Sequence, residues 1–81
     1  MKENITITLG IVSDILEEVC FNLLMTDTYA RLSDESRYEK LNSHAKRIIS
    51  ILIGEEKTIT IDEHINVIVA MIIFNFNNNK K

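Results

Sequence analysis

Arg37, Lys40, His44 and Arg47 follow one another at spacings of three, four and three, which on a helix puts all four on one face over about 15 Å at the helical rise. Guanidinium, ammonium and imidazole groups at that pitch offer several donors to one anion-rich surface, such as nucleic-acid phosphates, a nucleotide or an acidic protein. The competing reading is a solvated face whose charges pair across a helical hairpin. Folding the chain about residue 33 brings Asp27 toward Lys40, and Glu17 or Glu18 toward Lys46 and Arg47. No aromatic residue interleaves with the stripe, which weighs against stacking on a single-stranded nucleic acid.

Asp14, Glu17 and Glu18 invite a second chemistry, because general acid and base work needs two carboxyls in different environments. Nothing nearby in sequence supplies a cleft, and acidic residues equally suit the first turn of a helix beginning near Ser13. Cys20 lies beside apolar Leu16, Val19 and Leu23, where a free cysteine behaves as a small hydrophobe. As a nucleophile it would need an adjacent base. His44 belongs to the opposite side of another helix, and His64 reads as an exposed first-turn residue. Two distant histidines and one cysteine make a poor zinc set. With no catalytic, metal or cofactor motif, the chain reads as a non-enzyme without a cofactor.

Three elements have to position these residues. Ile5, Leu9, Val12, Leu16, Val19, Leu23, Thr26 and Ala30 alternate at four and three, the seam of a helix over about residues 5–32. Its start is ambiguous: Ile5 to Thr8 is β-branched and Gly10 disfavours a helix interior, so residues 5–9 are either helical or extended, with Ser13 or Asp14 as an alternative N-cap. Ser33-Asp34-Glu35 supplies a cap and an acidic first turn for a second helix, 34–53. Its seam is Tyr38, Leu41, Ala45, Ile48 and Leu52, widened by Ile49 and Ile53, and Gly54 stands where a C-terminal cap belongs. A connection of two or three residues folds the two helices into an antiparallel hairpin.

After a polar link at Glu55-Glu56-Lys57, Thr60-Ile61-Asp62-Glu63 matches a capping box for a third helix over 61–76. A strand competes at residues 58–61, where Ile59 and Ile61 alternate with Thr58 and Thr60. From Ile65 to Phe76 every position but Asn66 and Asn75 is apolar. Val67, Met71 and Phe74 share one face; Ile65, Ile68, Val69, Ile72 and Phe76 share another. A helix apolar all round needs cover all round. One face completes the hairpin core; the other, with Val67, Met71 and Phe74 as candidate interface residues, is left for a second copy of the chain or, with Asn66 as its polar group, for a small ligand. Residues 77–81 are expected to fray.

The chain therefore reads as an all-α single domain: an antiparallel hairpin plus a very apolar C-terminal helix, assembled as a homo-oligomer, most simply a dimer. Its size supports that reading, since 81 residues bury too little surface for ample stability alone and one cysteine cannot form an internal disulfide. That single cysteine and the absence of a signal-peptide core favour the cytoplasm. Ile65–Phe76 would span about 18 Å as a helix, too short to cross a bilayer. A net charge of −3 argues against nucleic-acid binding by the whole surface and leaves the basic stripe as the local candidate. The function expected from these features is protein interaction, as an adaptor, regulator or inhibitor. A nucleic-acid-binding regulator and a ligand-sequestering oligomer, its ligand near Arg47 or Asn66, stand as alternatives.

Overall fold

The computed structural model describes residues 2–79, with side chains from Leu9 onward. It is all-α, with helices α1 (Lys2–Leu24), α2 (Asp27–Ala30), α3 (Asp34–Ile53), α4 (Glu55–Thr60) and α5 (Asp62–Asn79), and no strand among the described residues. The strand alternative at residues 58–61 is thereby replaced by the helical end of α4 and the single turn residue Ile61 after it. Residues 5–9 are helical within α1, which begins at Lys2 rather than near Ser13. The side chain of Ile5, and the end of the tail at Lys80 and Lys81, lie outside the described residues.

The long helices run up, down and up. Asn42 on α3 bonds Asn66 on α5, and Lys46 pairs with Asp62, so these two helices are antiparallel. Phe21 and Phe76, each near the C-terminal end of its helix, meet edge to face with centroids 5.3 Å apart, which makes α1 and α5 parallel. The main packing differs from the expected hairpin: α5 packs along both α1 and α3, whereas α1 and α3 touch each other little. The C-terminal helix is the element on which both other long helices pack, which accounts for its buried Ile65, Val69, Ile72 and Ile73 but not for the apolar residues on its outward side.

The buried rows explain this arrangement. They are Val12, Leu16, Cys20 and Leu24 on α1, Leu41, Ala45 and Ile49 on α3, and Ile61, Ile65 and Val69 leading into α5, completed by Ile72 and Ile73. All three rows step by four. Residues four apart drift about 40° around a helix at each step, so the buried strip winds across the helix face. Val19 and Leu23 of the sequence seam are therefore half-buried behind Cys20 and Leu24, Tyr38 and Ile48 are half-buried behind Leu41 and Ile49, and Leu52 is exposed.

The first helix is shorter than the expected 5–32. It stops at Leu24 because Thr26 caps a new turn: its hydroxyl accepts from Tyr29 N–H at 3.4 Å and donates to Leu23 C=O at 2.7 Å, with Asp27 in the first turn of α2. Thr26 and Ala30 are consequently exposed. Ser33 caps α3 as expected, accepting from Ser36 N–H at 3.2 Å. The link at residues 55–57 is the start of helix α4, and Thr60 makes no capping box: its hydroxyl donates back to Glu56 C=O at 3.1 Å, and α5 follows directly after Ile61. At the other end α5 continues through Asn79, past the expected limit at 76.

The two glycines should respond to alanine with opposite signs. Gly54 ends α3 at φ 96° and ψ 152°, donating its N–H to Ser50 C=O at 2.9 Å, a conformation that a Cβ disfavours by on the order of 1–3 kcal/mol. Gly10 lies inside α1, where an added Cβ would meet nothing within 4 Å. Gly54→Ala should lower the urea midpoint, and Gly10→Ala should raise stability by up to about 1 kcal/mol. A midpoint that moves the same way for both would contradict the backbone described at one of them.

Candidate functional site

The basic stripe divides into two parts. Lys40, His44 and Arg47 line one shallow depression on the outer side of α3, together with Tyr29 of α2, Glu39 and Ser43. Lys40 and Arg47 are exposed, His44 is half-buried, and none of the three takes part in an ion pair among the described residues. Among the described residues, the pairing expected across the hairpin is not made. Lys46 instead reaches Asp62 on α5 at 2.9 Å, because α5, not α1, lies against that side of α3. Glu39 offsets part of the local positive charge, so the depression holds two fixed cations and one anion on an open surface. Such a surface can take an acidic or phosphate-bearing partner by several weak contacts. It provides no enclosed place for a small molecule.

Arg37 does not join the other three. It stands one step before Leu41 and Ala45 in the buried row and is 8% exposed. Its Nε donates to Tyr29 C=O at 3.2 Å and Nη2 to Leu32 C=O at 3.2 Å. Nη1 is 3.4 Å from both Asp34 Oδ1 and Asn77 Oδ1. The guanidinium thus ties α2, the turn after it, the start of α3 and the end of α5 together. Four of its five N–H donors are used within the fold and the side chain is buried, so Arg37 is no open anion-binding group but a structural clamp.

A second surface lies on α5. Ile65, Val69, Ile72 and Ile73 face the core, while Val67, Met71 and Phe74 point outward, 58%, 59% and 65% exposed. Ala70 between them is also exposed. On the flank of α5 toward α3, Asn66 Oδ1 accepts from Asn42 Nδ2 at 2.6 Å and Asn66 C=O accepts from the Tyr38 hydroxyl at 3.4 Å. Asn66 is thus engaged between helices, and the Oδ1 of Asn42 is buried without a partner.

On the opposite flank, Asp14, Glu17, Glu18, Phe21 and Asn22 of α1 form an open groove with Ile72, Asn75 and Asn79 of α5. The three carboxylates share one environment there, with none buried apart from the others as an acid–base pair requires. Cys20 is buried, and burial pushes its thiol up to about 11, leaving almost no thiolate at neutral pH. His64 is exposed at the start of α5. No group of three metal-ligating side chains comes together among the described residues, and no described helix is long and apolar enough to cross a membrane.

Sequence reasoning missed the neighbours that shape the depression. Glu39 and Ser43 fall four residues apart and continue to Arg47, a readable signal, whereas Tyr29 arrives only through the unexpected helix α2. Comparisons with protein-family models, with curated proteins and with solved structures gave no match, so the functional reading rests on this geometry.

Proposed function

We propose that this protein is a small non-enzymatic interaction module, working as a helical homo-oligomer, most simply a dimer, that binds a protein partner. The observation that carries the reading is the outward row of Val67, Met71 and Phe74, each more than half exposed, on the helix whose other side is the centre of the core. Large apolar side chains aligned in one row mark an interaction surface more strongly than the same residues scattered. In a dimer joined there, the depression of Lys40, His44 and Arg47 on α3 stays open for an acidic partner surface. The lone buried thiol fits a reducing compartment such as the cytoplasm.

Sedimentation equilibrium at micromolar concentration tests the reading. The expected mass is about twice the 9.3 kDa of the chain, and Met71→Lys or Phe74→Asp should return it to the monomer value with helical content retained. Both positions are solvent-exposed in the isolated chain, so a charge there costs folding little but becomes costly once a partner buries it. A single 9.3 kDa species for the unaltered protein would overturn the proposal.

A further inference from the structure

The outward face of α5 is close to a palindrome. Glu63, Val67, Ala70, Met71, Phe74 and Asn78 are all exposed, and they pair about a centre between Ala70 and Met71: Ala70 with Met71, Val67 with Phe74, Glu63 with Asn78. We infer that two copies of the chain associate through this face with their α5 helices antiparallel, a two-fold axis passing between Ala70 and Met71. The inference rests on the self-association reading above and fixes its geometry.

Two features of the face, the match of Val67 with Phe74 and of Glu63 with Asn78, favour antiparallel over parallel pairing. Antiparallel pairing sets Val67 of each copy against Phe74 of the other and brings the two Ala70 residues together beside the axis, where the small side chain lets the helices approach to the usual 8–10 Å. It also places the Glu63 carboxylate of one copy against the Asn78 amide of the other, a donor for each acid. Parallel pairing would set Glu63 against Glu63, like charge on like charge, and align the two helix dipoles. The extent of the face is also adequate. At their observed exposures Val67, Met71 and Phe74 present on the order of 400 Å² of mostly apolar surface, close to the apolar share of the roughly 800 Å² each partner gives to a standard interface. An isologous contact of this kind closes at two subunits.

Single cysteines read the geometry directly, because the native Cys20 is 1% exposed and does not compete for oxidation. Under mild oxidation, Ala70→Cys should form a disulfide-linked dimer, since the two-fold brings its Cβ atoms within the few ångströms a disulfide requires. Val67→Cys alone and Phe74→Cys alone should not, because their like positions stand about 10 Å apart along the antiparallel pair. A mixture of Val67→Cys and Phe74→Cys should give the mixed disulfide. Cross-linking of Val67→Cys to itself would establish the parallel arrangement and overturn the inference. A dimer by sedimentation in which no cysteine on this face cross-links would overturn it by placing the interface elsewhere. A monomer by sedimentation would remove the self-association reading and the geometry together.

Discussion

Arg37→Ala is expected to cost about 3 kcal/mol of stability, a large effect for one polar side chain in a domain this small. The guanidinium is almost wholly buried, and its bonds to the carbonyls of Tyr29 and Leu32 hold a segment that has few other anchors. Removing it leaves both carbonyls without their charged donor at about 1–3 kcal/mol per charge-assisted bond, partly relieved where water enters. The ion pair with Asp34 adds little, because that carboxylate is 82% exposed. Arg37→Lys separates charge from geometry: one ammonium cannot serve carbonyls on both sides of the turn and reach Asn77, so most of the loss should persist. Urea unfolding of both variants measures the effect. If either loses less than about 0.5 kcal/mol, the clamp is not holding α2 to the bundle.

Truncation in the core gives the other large effect. Leu16→Ala and Ile65→Ala, at two fully buried positions on helices that pack together, should each cost about 3–4 kcal/mol through lost burial and the cavity left behind. Ile48→Ala should cost about 1 kcal/mol or less, because that side chain stays half-exposed while its neighbour Ile49 is buried. A stability of only several kcal/mol is usual for a domain of this size, so the first two variants should be largely unfolded at modest urea concentrations. Equal losses for Ile48→Ala and Ile65→Ala would mean that the buried rows do not step by four.

That step of four is where sequence and structure part. The sequence seam alternates three and four, as a coiled coil would, and correctly marks which helices are amphipathic, where Ser33 opens α3 and where Gly54 closes it. It centres the face one position off, on Val19 with Cys20 at its flank and on Ile48 with Ile49 beside it, because both periods share the residues that start them. Arg37 falls under the same ambiguity: a spacing of three joins it to Lys40 and the stripe, a spacing of four to Leu41 and Ala45. The deciding contacts, the carbonyls of Tyr29 and Leu32, belong to a turn whose path no local rule specifies.

Two further departures have the same origin. Thr26 and Asp27 carry cap chemistry at a position that also fits the helical seam, so the spacing alone runs past the end of α1. The pairing of Lys46 with Asp62 depends on which helix lies beside α3, and that neighbour is set by how the apolar surfaces of three helices share one core. The outward row on α5 was legible as a face by its spacing alone, since Val67, Met71 and Phe74 stand apart from the core-facing Ile65, Val69 and Ile72 on any helical projection.

Because α1 and α3 each lean on α5 and scarcely on each other, neither has its main partner until the most C-terminal helix exists. At about 5–20 residues per second, a ribosome takes on the order of several seconds to go from the end of α1 to the end of α5. During that interval the apolar rows of α1 and then α3 are made without the helix that covers most of them. With its central helix made last, the chain is expected to complete its core as one late event. Its exposure to chaperones, proteases and other nascent copies is concentrated in those seconds, and faster translation of residues 25–79 would shorten it without changing a contact in the finished fold.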